Sequence, residues 1–150
     1  MKYKIIILLF IISIIMIKMT IIDIARVEGD SMAPTLTNNN LLLYSKLNKE
    51  YSRFDIVIIK IDKVYYIKRI IGLPGETIEY KNNTLFVNGN KVIENFNTTA
   101  TNDFSLIQIC PYNTIPENNF LVLGDNREVS YDSRSFGLVN LTEIKGKVLK

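Results

Sequence analysis

A mainly β fold behind a single apolar helix is what this sequence predicts, and three observations predict it. Residues 5–22 are almost all Ile, Leu, Met and Phe. From residue 41 onward, short runs rich in Ile, Val, Tyr and Phe recur between turn residues. Those turns include Asp62-Lys63, Asn82-Asn83 and Asn88-Gly89, pairs that suit tight connections between antiparallel neighbours. The expected architecture is one N-terminal transmembrane helix followed by an all-β domain of coiled antiparallel sheets.

Taken in order, residues 1–4 are a short basic lead with Lys2 and Lys4. Residues 5–22 as a helix span about 27 Å, against a bilayer core of about 30 Å. Lys18 interrupts the run near its far end, where a long side chain reaches the head groups. The exit, Ile22-Asp23-Ile24-Ala25-Arg26, lacks the small-x-small pattern of a cleaved secretory signal, so an uncleaved anchor is expected. The positive-inside tendency puts the N-terminus in the cytoplasm and residues 23–150 outside, in the plasma membrane of a single-pass protein. The lipid bilayer is thus one expected partner.

Strands are expected over 41–44, 54–61, 64–71, 77–80, 84–87 and 120–123, with Gly72-Leu73-Pro74-Gly75 breaking the chain after the third. Residues 94–117 are polar, Asn/Thr-rich and weakly patterned, and read as a loop or a reduced β excursion.

Composition narrows the chemistry before any motif does. With 150 residues and an apolar N-terminus set aside, one domain remains. A net charge of +3 from 18 basic and 15 acidic residues shows no clustered basic face, so nucleic acid is not an expected partner. The single cysteine, Cys110, permits no internal disulfide and reads as a small packed apolar residue. There is no histidine, which excludes a Ser-His-Asp triad, a Cys-His dyad and a Cys/His zinc site. No metal and no cofactor are expected. A serine nucleophile here needs another base, and lysine is the natural candidate.

Three segments are unusual for an ordinary β domain. In Gly29-Asp30-Ser31-Met32-Ala33-Pro34-Thr35-Leu36, Gly29 and Pro34 hold the backbone around Ser31, although a plain turn into a strand has the same composition. In Tyr65 to Gly75, alternation puts Tyr66, Lys68 and Ile70 on one strand face and Ile67, Arg69 and Ile71 on the other. A lone strand lysine usually points to solvent, but one flanked by Tyr66 and Ile70 is open to desolvation, which yields the neutral amine a base must be. Gly124 to Gly137 has the composition of a solvated loop, yet it carries Asp125, Arg127, Asp132 and Arg134 together, which suggests order through charge-assisted pairs. An aspartic mechanism on Asp125 and Asp132 is disfavoured, because the neighbouring arginines hold both carboxyls ionised.

Together these segments resemble the bacterial type I signal peptidases, membrane-anchored Ser/Lys proteases. The resemblance covers nearly the whole chain. It runs through Ser31 to Leu36, Arg53 to Val57 (R-x-D-I-V), Lys68 to Gly75 (K-R-x-x-G-x-P-G) and Gly124 to Gly137 (G-D-N-R-x-x-S-x-D-S-R-x-F-G). Four boxes in order make a specific signal. The fold this implies is that shared with the self-cleaving repressors, whose DNA-binding or cytosolic arm is replaced here by the apolar span.

The resemblance implies that Ser31 is the nucleophile and Lys68 the general base. It makes Ser130 the serine that orients the lysine, Asp132 and Arg134 a supporting ion pair, and Arg69 and Asp125 a second pair. It places Val27, Met32, Leu36, Tyr66 and Ile67 in shallow apolar substrate pockets that admit small residues at −1 and −3. Gly29 stands where some members carry an oxyanion-hole serine, and the resemblance makes a glycine there the usual residue of the Gram-positive branch. The implied substrates are preproteins emerging from the secretion translocon, whose signal peptides are removed. The alternatives are a specialised peptidase for pilin-like, conjugative or spore-coat substrates, and a catalytically silent membrane-anchored β module.

Overall fold

Three hairpin turns fix much of the register. In the computed structural model, which describes residues 2–47 and 49–149, Asp62 and Lys63 (φ 48° and 72°), Asn82 and Asn83 (49° and 57°), and Asn88 and Gly89 (50° and 77°) all take left-handed backbone. Two consecutive positive φ values match the right-handed twist of the flanking strands. They pair Ile61 with Val64, Lys81 with Thr84, and Val87 with Asn90.

The chain begins with α1 (Lys2–Ile21) and passes directly into β1 (Ile22–Arg26). β2 (Leu41–Ser45), β3 (Ile56–Ile61), β4 (Val64–Gly72), β5 (Ile78–Lys81), β6 (Thr84–Val87) and β7 (Asn90–Val92) follow. Next come β8 (Phe104–Ser105), β9 (Asn119–Leu123), the helical turn α2 (Ser133–Phe136), β10 (Val139–Asn140) and β11 (Ile144–Val148). A seven-stranded antiparallel sheet has the order β1-β2-β11-β3-β4-β9-β10, and a four-stranded one the order β7-β6-β5-β8.

β4 lies inside the large sheet, and from Lys68 to Gly72 both of its faces are covered. Ile70 packs with Val57, Ile59, Phe120 and Val122 on one side. Ile71 packs on the other with Leu121, Leu123 and the inward residues of the small sheet, Ile78, Tyr80, Leu85 and Val87. Alternation along β9 sends 120 and 122 one way and 121 and 123 the other. Each such side chain stabilises the fold by about 1.5–3 kcal/mol relative to leaving it in water.

The structure corrects several expectations. Among the described residues no helix is long and apolar enough to cross a membrane. α1 stops at Ile21, and Ile22, expected to end a span, is already paired with Ser45 in the sheet. The side chains of residues 14, 15 and 17–20 lie outside the described ones, and with them the expected role of Lys18. The strand expected from Phe54 starts at Ile56, because Phe54 takes φ 72° and its N–H turns to the Ile70 carbonyl at 2.8 Å. Residues 94–117 are a reduced excursion: β8 completes the small sheet, and Leu106 and Ile115 enter the core. Cys110 is half-buried against that core.

The R-x-D-I-V box proves to be architectural. Arg53 donates to the Ile71 carbonyl at 2.5 Å and pairs with Glu76 at 2.5 Å, while Asp55 pairs with Lys147 at 2.6 Å.

Candidate active site

Ser31 lies in the loop that joins β1 to β2. That loop closes on itself through Val27 N–H to Asn40 O and Asn39 N–H to Val27 O, both at 2.9 Å. Within it, Ala33 N–H donates to Asp30 O at 3.1 Å and Leu36 N–H to Met32 O at 2.9 Å, winding the chain into a turn behind Ser31. Gly29 sits at φ 82°, in the left-handed region where a side chain is strained; that accounts for a glycine where a serine could otherwise stand.

Lys68 comes to Ser31 from β4, opposite Val57 of β3. Its Nζ lies 2.7 Å from Ser31 Oγ, and the residue is 2% exposed. Among the described residues this is its one hydrogen bond. Burial lowers the amine from 10.5 to about 8; Asp132 opposes the drop, Arg134 adds to it and Asp125 opposes it. The Tyr66 ring is 5.9 Å from Nζ. Burial thus supplies an amine that is neutral in part near neutrality, at hydrogen-bond distance from a hydroxyl.

The segment from Gly124 to Gly137 closes over the pair, held as the charge pattern suggested. Asp132 accepts from Arg134 Nε at 2.8 Å, from a terminal guanidinium nitrogen at 2.8 Å and from Gly124 N–H at 3.1 Å. It also caps α2 through Arg134 N–H. Asp125 receives a fork from Arg69, at 2.8 and 2.5 Å. Ser130 is brought to the site, but its Oγ is buried without a hydrogen-bond partner among the described residues. A Cβ on Gly124 would fall 2.2 Å from Ser130 Oγ and 2.3 Å from Ser31 O, so only a glycine lets this backbone lie between the two serines.

An open cleft of about 370 Å³ runs away from the pair, lined by residues 24–28 and 65–68 with Ser31, Met32, Tyr44 and Ile58. Val27, Met32, Tyr66 and Ile67 all line it. Leu36 does not: the turn that Leu36 N–H closes onto Met32 O carries it off the cleft wall, where it is half-buried. β9 pairs with β4 only from Arg69 onward, so among the described residues Val64 to Lys68 have no strand on that edge.

Sequence reasoning missed the role of Asn126 and left the partners of Arg127 open. Asn126 ties the catalytic loop to the Ser31 turn, its N–H donating to Ser31 O at 3.1 Å and its side chain to Asp30 O at 3.2 Å. Arg127, with its side chain fully buried, reaches Gly124 O, Tyr80, Thr101 and Glu94. Clustered opposite charges were the available signal for Arg127, but they do not reveal which residues it meets.

Comparison with known proteins places the chain among its relatives. Residues 1–149 match the family described as signal peptidase, peptidase S26. Signal peptidase I of Bacillus caldolyticus is 44% identical over 135 residues, covering 81% of this chain and 74% of that protein. Signal peptidase I V of Bacillus subtilis is 42% identical over 136 residues, covering 82% and 81%. Among solved structures, the crystal structure of a signal peptidase I from Enterococcus faecalis superposes with a TM-score of 0.61 at 38% identity, covering 67% of this chain and 97% of that one.

Proposed function

The chain belongs to the peptidase S26 family of signal peptidases, and we propose that it works as a membrane-held Ser/Lys enzyme. Removal of signal peptides by a serine peptidase is the activity of this family and of this chain. The observation that carries the dyad reading is the 2.7 Å approach of a buried Lys68 amine to Ser31 Oγ in a protein without histidine.

In this reading the neutral Lys68 amine takes the Ser31 proton as Oγ attacks the scissile carbonyl, then gives it to the departing amine. Water, activated by the same lysine, hydrolyses the acyl-enzyme. The lysine-orienting role that the resemblance gives Ser130 requires its Oγ, unpartnered among the described residues, to turn to the amine during turnover; the Asp132–Arg134 pair fixes the loop that carries Ser130, and Arg69–Asp125 anchors that loop's start. The Ser31 N–H is the proposed oxyanion donor.

The substrate adds as a strand along the open edge of Val64 to Lys68, facing Val27 to Ser31 across the cleft. Val27, Met32, Tyr66 and Ile67 form apolar walls that favour small residues at −3 and −1. Residues 5–12 of α1 present apolar side chains that are 45–66% exposed, which supports attachment of the chain to a membrane. Confining enzyme and membrane-threaded preprotein to one surface raises their effective concentration.

The test is cleavage of a preprotein bearing an Ala-x-Ala site by the detergent-solubilised full chain, with the new N-terminus mapped by mass spectrometry. Wild type is expected to cut after the −1 alanine, and Ser31→Ala and Lys68→Met to be silent. Cleavage that survives in Ser31→Ala removes the dyad reading.

A further inference from the structure

The stretch after β7 looks inert in sequence, yet its side chains alternate. Residues 93, 95 and 97 are exposed, while Glu94, Phe96 and Thr98 are half-buried. Two of the three inward residues meet the base of the catalytic loop, and the third meets Arg69, the ion-pair partner of Asp125 in that loop. Glu94 pairs with the Arg127 guanidinium and accepts the Tyr80 hydroxyl at 2.8 Å. Phe96 stacks under the Arg69 guanidinium at 3.9 Å. Thr98 Oγ1 donates to the Asp125 carbonyl at 2.8 Å, and the Thr99 N–H to the same oxygen at 3.1 Å. Thr101, buried, then takes a second Arg127 contact at 2.6 Å.

We propose that residues 94–101 are a strap that positions the catalytic loop through Arg127, with Glu94 its principal positioning residue. The proposal rests on the Ser31/Lys68 reading. Its path is short. Arg127 Nε donates to Gly124 O at 3.0 Å, and Gly124 N–H donates to Asp132 at 3.1 Å. The Gly124 backbone is wedged between Ser31 O and Ser130 Oγ, so any movement of Gly124 moves both serines. Tyr80 completes the clamp from β5, giving its proton to Glu94 and accepting from Arg127 at 2.9 Å. Burial pushes this phenol well up, so it stays a neutral bridge. The small sheet, remote from the cleft, thereby sets the dyad's geometry.

None of residues 94–101 lines the cleft, so loosening the strap acts on turnover rather than on substrate affinity. It also acts on Lys68, which is faced by Ser31, Tyr66, Asp132, Arg134 and Asp125 and kept dry by the closed loop.

The experiment compares wild type, Ser31→Ala, Glu94→Ala, Glu94→Gln and Asn97→Ala as full chains in detergent. It measures kcat and KM on an Ala-x-Ala peptide, the pH profile of kcat/KM, and Tm. Glu94→Ala is expected to lower kcat about 10- to 100-fold with KM unchanged, the scale of a small misplacement of reacting groups. Its acid limb should move to higher pH as water returns to Lys68. Glu94→Gln, which keeps an acceptor oxygen, should lose less, and it carries the test if Glu94→Ala does not fold. Asn97→Ala, on the outward side of the strap, should match wild type. Normal kcat and an unmoved acid limb in the Glu94 variants, or a fall in Tm alone, overturn the strap while leaving the dyad reading intact. Activity in Ser31→Ala overturns both.

Discussion

Lys68 and Arg69 are neighbours on β4, 2% and 6% exposed, and face opposite sides of the large sheet. Arg69 is met by a bidentate carboxylate from Asp125, the Phe54 carbonyl at 2.9 Å and the face of Phe96. Lys68 is met by one serine hydroxyl and no carboxylate at hydrogen-bond distance. One side of the strand compensates its cation fully and becomes an anchor. The other withholds compensation, and burial lowers the amine to about 8, as the proposed base requires. Reactivity here comes from what the environment does not supply: a fully paired lysine keeps its proton and cannot accept another.

Removing each cation in turn is the strongest way to break this contrast. Lys68→Met should lower kcat/KM by about 10²–10⁴-fold, the usual contribution of a positioned base, while the protein remains folded. Arg69→Met should do the reverse in kind. It leaves Asp125 buried with no cation, at a cost of about 3–5 kcal/mol in stability. Denaturant midpoints measure that loss, and adding Asp125→Leu should recover much of it; a single Arg69→Met as stable as wild type would mean the two faces do not differ as described.

The contrast also has a pH signature. Lowering an amine from 10.5 to about 8 costs its protonated form about 3 kcal/mol in the folded state. Below about pH 8 both folded and unfolded chains carry that proton, so wild type bears the whole cost. Between about pH 8 and 10.5 the unfolded chain holds more protons, and stability rises with pH. Lys68→Met lacks the charge, so its stability should equal or exceed wild type near pH 7, with the difference shrinking toward pH 10. Thermal melts at those two values check the sign. Activity should follow the same group and climb through about pH 8.

The smallest expected effect sharpens the comparison in the turn just before β4, which carries neither the dyad nor the anchor. Lys63 occupies left-handed backbone at φ 72°. Lys63→Gly should raise stability by about 1 kcal/mol with kcat and KM unchanged, as read by denaturant midpoint and peptide assay.

Much of the site was legible because its residues break the expectations of their surroundings. Lys68 stands in an apolar run, Ser31 in a glycine- and proline-framed turn, and Asp125, Arg127, Asp132 and Arg134 in one short segment. The hairpins were legible for a related reason, since Asn, Asp and Gly tolerate the backbone that such turns demand. The strap was not. Its inward residues, Glu94, Phe96, Thr98 and Thr101, are mostly polar because they face a polar network, so a search for apolar alternation passes over them. β11 was missed because Ile144-Lys145-Gly146-Lys147-Val148 lies between partners far away in sequence, β2 and β3. β1 was missed because it continues an apolar helix without a break.

The sequence by itself determined which residues are available for chemistry: a serine, a lysine, no histidine, and two arginine–carboxylate pairs in motifs that also specify the family. It determined the local turns as well, because left-handed backbone is a property of one or two residues. Only the tertiary structure decided that Lys68 loses its water, that Leu36 leaves the cleft wall, and that a polar stretch from the small sheet grips the catalytic loop. Those outcomes depend on burial and on partners dozens of residues apart. Desolvation and charge pairing act through space, and separation along the chain does not encode them.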